Sequence, residues 1–314
     1  MTRRTRAARP DWRRAPRRPP ALAPGAAIAV VAPASAANPG KIRRGALALE
    51  RLGFEVRVSP QAFERSGHFA GVDERRAAAL RAAIRDPAIG AIIFTRGGFG
   101  AARLLPLVER DLARAEPKIL VGYSDATSIL TFATGKLGWV TFHGPMIASD
   151  FSKTLRPIDR ASLLAAVRGE EAKPLRLTAT IRSGVAEGRT FGGCLSILVS
   201  LLGTPYAVDF ADRIVFLEDV NEEPYSLDRM LTQLRQAGQL ARACGIVFGE
   251  MVNCGTRRQI LEVLTDRTRD LGIPVAFGLP SGHGRGKQTL PLGVRVRLDA
   301  GRRVLEVLES GVSP

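Results

Sequence analysis

Ile119-Leu120-Val121-Gly122-Tyr123-Ser124-Asp125-Ala126 passes from an aliphatic triplet, through a turn with small residues two places either side of a serine, into a segment that opens on a carboxylate. An aliphatic run bounded by turn residues reads as a fully buried strand. The segment 125–132 reads as a helix whose first-turn acid complements the helix dipole. Upstream, residues 26–32, 42–52, 54–58, 74–84 and 91–95 read in turn as strand, helix, strand, helix and strand, and 139–142 adds a strand downstream. Such alternation predicts an α/β fold with a mostly parallel sheet covered on both faces. From about residue 149 to 190 the strand signals weaken, and Arg182-Ser183-Gly184 resembles a turn. A second α/β unit follows, with strands at 214–217, 245–251, 274–277 and 294–298 and helices at 226–236 and 257–270. The expected organisation is a basic disordered arm over 1–23, an N-terminal domain over 24–150, a linker over 151–185 and a C-terminal domain over 186–314.

The chain's 314 residues with 45% hydrophobic content suffice for one large core or two modest ones. The longest apolar run, Ala26 to Ala32, is far short of the roughly 20 residues a membrane span needs. The net charge of +16 is unevenly placed: residues 1–20 hold eight arginines against Asp11 alone, a net +7. With four prolines and few aliphatic side chains, that arm cannot bury enough surface to offset its ordering entropy. It reads as a solvated tail, with nonspecific polyanion binding as the alternative. Basic residues ahead of an apolar run and Ala34-Ser35-Ala36 mimic an export signal, but Pro24 and Gly25 interrupt it and its removal would delete a core strand. Three cysteines, Cys194, Cys244 and Cys254, form no C-x-x-C and suggest neither a disulfide framework nor a metal site. A reducing, cytoplasmic location is expected.

Gly122-Tyr123-Ser124-Asp125-Ala126, between a strand and a helix, has the form of a nucleophile elbow, a turn so tight that larger flanking side chains would clash. The structural alternative is a helix cap, a role that suits both Ser124 and Asp125. A serine nucleophile needs a base, and the chain offers His68, His143 and His283. His283, in a loop after the strand 274–277, is the best placed, since catalytic groups of open α/β sheets gather at strand ends; His68 and His143 read as structural. Glu218, at the close of 214–217, is the candidate orienting carboxylate, with Asp219, Glu222 and Glu223 competing. Arg96-Gly97-Gly98-Phe99-Gly100 follows the strand 91–95 and would let backbone amides approach an oxyanion. It does not complete G-x-G-x-x-G, because Arg103 stands where the third glycine belongs, so no dinucleotide cofactor is expected. H-E-x-x-H, S-x-x-K and K-T-G are absent, so zinc-peptidase and penicillin-binding-type chemistry is disfavoured.

Taken together, Val31-Ala32-Pro33-Ala34-Ser35, Thr95-Arg96-Gly97-Gly98-Phe99-Gly100, Gly122-Tyr123-Ser124-Asp125, His143-Gly144-Pro145, Gly192-Gly193-Cys194-Leu195-Ser196, Leu217-Glu218-Asp219, Asp228-Arg229-Met230-Leu231 and Gly278-Leu279-Pro280-Ser281-Gly282-His283 resemble, in order, the LD-carboxypeptidases of serine peptidase family S66. That family includes muramoyltetrapeptide carboxypeptidase and the microcin C7 immunity protein. The resemblance runs from about Pro24 to Leu298 and implies a Rossmann-like N-terminal domain, a C-terminal α/β domain and a site in the cleft between them. It implies Ser124 as nucleophile, Glu218 and His283 as its partners, and an oxyanion hole at Asp125 with Gly97 or Gly98. It also implies a homodimer and no metal or other cofactor. Cys194 stands where an asparagine is frequent in the family, and residues 1–20 match nothing in it. The 94 positions from Ser124 to Glu218 are short, as in the peptidoglycan enzymes.

The expected activity is a serine carboxypeptidase that removes D-alanine from the L-centre of diaminopimelate in a muropeptide tetrapeptide during peptidoglycan recycling, with Arg96 as a fork for the terminal carboxylate. The expected partner is thus a muropeptide, with no membrane and no specific nucleic acid. One alternative is an immunity-type amidase acting on aminoacyl-adenylate analogues. A second is a non-catalytic protein that holds an anionic ligand or nucleic acid in the cleft, aided by the arm; it would show strongly salt-dependent binding.

Overall fold

A computed structural model of the chain describes residues 15–314. The chain begins with β1 (Ala27–Val31), α1 (Pro39–Glu50), β2 (Glu55–Val58), α2 (Asp73–Arg85), β3 (Ile89–Phe94), α3 (Leu105–Arg114), β4 (Ile119–Gly122), α4 (Thr127–Leu137) and β5 (Thr141–His143). It continues through α5 (Pro157–Arg168), β6 (Leu175–Arg176), β7 (Ala179–Arg182), β8 (Val185–Cys194), α6 (Leu195–Ser200), β9 (Arg213–Val220), α7 (Pro224–Gln236), β10 (Gly245–Val252) and α8 (Arg257–Thr268). It ends with β11 (Val275–Leu279), β12 (Leu290–Leu292), β13 (Arg295–Asp299) and β14 (Val304–Val307).

Two mixed sheets carry the fold. In the first, β5, β4, β3, β1 and β2 lie parallel in that order, and β12 closes the β5 edge antiparallel. Every residue of β1 and β4 is buried, as a parallel strand covered on both faces requires. The chain leaves β1 for β2 on one side and then crosses to β3 on the other. The loops after β1 and β3 therefore meet at a topological switch point, where open α/β sheets bind ligands; there Phe99 N donates to Ser35 Oγ at 3.1 Å. In the second sheet β8, β9, β10 and β11 are parallel, flanked by antiparallel β7 on one side and β13, β14 and β6 on the other. Leu227, Met230, Leu231 and Leu234 of α7 are buried against this sheet, the face their spacing predicted.

Three boundaries differ from those read in the sequence. Residues 151–185 are not a linker, because α5, β6 and β7 occupy much of them. The two strands lie at sheet edges and expose alternate or half of their residues, so their composition mimics a loop. The segment 186–314 does not stay in one sheet, since β12 returns to pair Leu290 with His143 in the first sheet. Of the supposed arm, residues 1–14 lie outside the described residues, but 15–23 pack on the body. Leu22 is buried, and its N–H donates to Val167 O at 2.8 Å, while Arg17 N donates to Gly138 O and Ala21 N to Ser313 O, each at 2.8 Å. These are backbone bonds, which side-chain composition does not announce. Among the described residues, no helix is long and apolar enough to cross a membrane, and no cluster of His, Cys, Asp or Glu could hold a metal ion.

Candidate active site

Ser124 occupies the turn between β4 and α4 with φ +61°, a left-handed conformation that a non-glycine residue adopts only where the surroundings enforce it. The enforcement is steric: a Cβ on Gly122 would lie 2.8 Å from Phe94 and 3.0 Å from the Ala126 methyl, so glycine at 122 is what leaves room for alanine at 126. Neither Ser124 nor Asp125 caps the helix with its side chain. Asp125 is buried, accepts from Ala101 N at 2.7 Å, and burial pushes its carboxyl up to about 6. Its role is thus to fasten the glycine-rich loop to the elbow. That loop brings Gly97 against the serine: a Cβ there would lie 2.6 Å from both Ser124 Cβ and Oγ and 3.2 Å from Asp125 N. Gly98 faces Ser35 instead. Gly97→Ala would press on the Ser124 hydroxyl and is expected to lose about 100-fold or more in turnover, the scale of a displaced reacting group, which a rate assay beside a thermal melt checks.

The second sheet supplies the other groups. Glu218, near the end of β9, is fully buried. Its Oε2 accepts from His283 N at 3.0 Å and lies 2.8 Å from His283 Nδ1. The approach depends on Gly282, at φ +98°, where any Cβ would collide with the carboxylate. Burial alone would raise the pKa of Glu218, but His143 and His283 outweigh it and hold the group at about 2. Of the competing acids, Asp219 accepts from the Ser196 and Val220 amides at 2.7 and 2.9 Å, beside Cys194 Sγ at 3.5 Å. Glu223 is exposed and Glu222 half-buried. Cys194 N in turn bonds Thr127 Oγ1 at 3.1 Å, which joins the second sheet to the start of α4.

Glu218 and His283 are thus brought together, and so are Ser124 and Gly97. Among the hydrogen bonds of the described residues none joins Ser124 to His283, a contact that is often loose in unliganded hydrolases. The halves meet through Tyr123, whose ring stands edge-on to the His283 imidazole at 5.0 Å. The Tyr123 hydroxyl lies 3.3 Å from Asp150 and 3.4 Å from Lys287 Nζ, and Lys287 also donates to Gly282 O at 2.6 Å, pinning the histidine loop. The sequence reading missed Tyr123, Asp150 and Lys287. Only Tyr123 had a visible signal, its place inside the elbow. His68, expected to be structural, is an exposed loop residue with its ring tilted against Phe69 at 3.8 Å. His143, also expected to be structural, is fully buried and faces Glu218 Oε1 at 3.7 Å.

Tyr123, His283 and Arg96 line a cleft of about 1340 Å³. Eight Lys or Arg side chains surround it, against the carboxylates Asp150, Asp159 and Glu250. Asp159 is already engaged by Arg156 at 2.7 and 2.9 Å, and Asp150 by Lys287 at 3.5 Å, so the free lining is strongly cationic. Arg96 is exposed at the wall, with its guanidinium 3.5 Å from Ala36 O.

Residues 28–144 match the model of the LD-carboxypeptidase N-terminal domain, and residues 187–298 that of the LD-carboxypeptidase C-terminal domain. The chain belongs to the LD-carboxypeptidase family. A probable murein peptide carboxypeptidase of Bacillus subtilis is 36% identical over 94% of this chain and 95% of its own. The microcin C7 self-immunity protein of Escherichia coli is 27% identical over 90% of this chain and 92% of its own. Among solved structures, muramoyltetrapeptide carboxypeptidase from Oxalobacter formigenes superposes with a TM-score of 0.81 at 30% identity, covering 90% of this chain and 97% of that one. In this LD-carboxypeptidase, the matched N-terminal segment contains Ser124 and Gly97, and the matched C-terminal segment contains Glu218 and His283.

Proposed function

We propose that this chain is a serine LD-carboxypeptidase that hydrolyses the bond between the L-centre of diaminopimelate and D-alanine in muropeptide tetrapeptides, a step of peptidoglycan recycling. The observation that carries the reading is the buried Glu218 carboxylate bound to both His283 N and Nδ1, where His283 and Tyr123 line a cationic cleft and the next residue after Tyr123 is a serine held at φ +61°. Kinship with enzymes named for murein peptides supports the substrate, and the cleft's excess of Lys and Arg suits a ligand bearing several carboxylates.

In this mechanism Ser124 Oγ attacks the carbonyl carbon while His283 Nε2 takes the hydroxyl proton. Glu218 fixes the tautomer by holding Nδ1–H and offsets the imidazolium charge. The oxyanion meets the amides of Asp125 and Gly97, of which Gly97 rather than Gly98 faces the serine. Collapse sends the proton from Nε2 to the departing D-alanine nitrogen, and water then releases the acyl group from Ser124 by the same route. Arg96 provides the fork for the substrate's terminal carboxylate.

The test is mass-spectrometric detection of D-alanine release from L-Ala-γ-D-Glu-meso-diaminopimelate-D-Ala. Release by the wild-type protein is the expected result. No release, together with cleavage of aspartyl sulfamoyl adenosine, would replace this reading with the immunity-type amidase.

A further inference from the structure

His143 closes β5, where it pairs with Gly122 of β4 and Leu290 of β12. It therefore sits beside the elbow at the carboxyl end of the first sheet, yet its ring points at a carboxylate of the second. Its Nδ1 lies 3.0 Å from Ser281 Oγ, two residues before His283, and its Nε2 lies 3.7 Å from Glu218 Oε1. Both His143 and Glu218 are fully buried, and among the described residues neither His143 Nε2 nor Glu218 Oε1 has a hydrogen-bond partner. Phe216 stands edge-on to the ring at 4.9 Å and Tyr123 is tilted against it at 5.9 Å, so water has little access.

These facts fix the ring's polarity. If Nδ1 carried the proton, the Nε2 lone pair would face a buried anion with nothing between them. If Ser281 donates to Nδ1, Nε2–H points at Oε1, and the two unmatched atoms face each other at 3.7 Å as a favourable dipole–anion contact, longer than a full hydrogen bond. With His283 bonded to Oε2 and the His143 ring set 3.7 Å from Oε1, rotation of the carboxylate out of the plane that serves His283 would turn Oε1 away from the one N–H that faces it.

We propose that His143 is a positioning residue: its Nε2–H, set by Ser281, orients Glu218, so that the first sheet aligns the Glu218–His283 pair of the second. The inference rests on the serine-hydrolase reading above. It asks more than that reading, which needs only Oε2.

The test compares His143→Gln, His143→Leu and Ser281→Ala with the wild type in the D-alanine release assay over pH, with thermal melts to confirm folding. Glutamine can still present an N–H to Oε1, whereas leucine cannot. His143→Leu is expected to lower kcat by about 10- to 100-fold, the scale of a hydrogen bond to a charged group, with KM within about twofold. His143→Gln is expected to stay within about fivefold of the wild type, and Ser281→Ala to fall between the two. The acid limb of kcat/KM should move to higher pH in His143→Leu only. There Glu218 keeps its burial and its like-charged neighbour Asp219 while losing one of two histidines, and Tyr123, Cys194 and Cys254, the other titratable groups around it, carry no compensating positive charge.

Equal losses in the Gln and Leu variants, or a folded His143→Leu protein with wild-type kcat and an unmoved acid limb, would overturn the proposal. Should His143→Leu fail to fold, His143→Gln and Ser281→Ala still decide it, because packing alone predicts a large loss for the first and none for the second. Survival of activity in Ser124→Ala would instead remove the parent reading.

Discussion

Ser124→Ala is expected to reduce D-alanine release by about 10⁴- to 10⁶-fold while leaving the fold and substrate binding intact. The methyl group fits wherever the hydroxymethyl did, and φ +61° strains alanine as it strains serine, so a melt should barely move. What disappears, on the proposed mechanism, is the atom that forms the acyl bond. The residual rate comes from the Asp125 and Gly97 amides and from binding, which do not need the hydroxyl. Adding His283→Ala to Ser124→Ala should cost little more, since a base with no nucleophile to serve does nothing. If the two losses multiplied, the serine and histidine would not be acting on the same proton, and the mechanism would fall.

Glu218→Gln is expected to cost about 10³- to 10⁴-fold in kcat with KM nearly unchanged. The amide is the same size, and its oxygen can still accept from His283 N and Nδ1, so the loop remains in place. It carries no charge, however, and the imidazolium that forms during attack then lies in a buried site without its counter-ion. The substitution also has a signature in stability. Glu218 is held at about 2, below the ordinary 4.5, so its contribution to stability is present above about pH 4.5 and is lost as pH falls toward 2. Glu218→Gln should flatten that part of the acid limb in denaturant titrations. A wild-type acid limb in the variant would mean that Glu218 is not the carboxylate holding the histidines.

Much of this protein is legible without coordinates. The runs 26–32 and 119–121 read as buried strands because parallel strands covered on both faces lose their polar alternation, and β1 and β4 lie there. Gly122 and Ala126 marked a sharp turn because only small side chains leave that space open. Patterns of this kind are local: residues within one element write them, and neighbours in the chain suffice to read them.

Tertiary structure alone decided what lies between elements. Glu218 and His283 are 65 residues apart, and strand-end position left Asp219 competing with Glu218; in the structure β9 points one carboxylate at the histidine loop and the other at the Ser196 and Val220 amides. The carboxylate that His143 faces depends on how the two sheets meet, and the choice of Gly97 over Gly98 beside the serine depends on how the loop after β3 packs on the elbow. The edge strands β6 and β7, the return of β12 to the first sheet and the backbone pairing of residues 15–23 were hidden for the same reason. Their partners are distant in sequence, and backbone hydrogen bonds formed with remote segments leave no trace in composition.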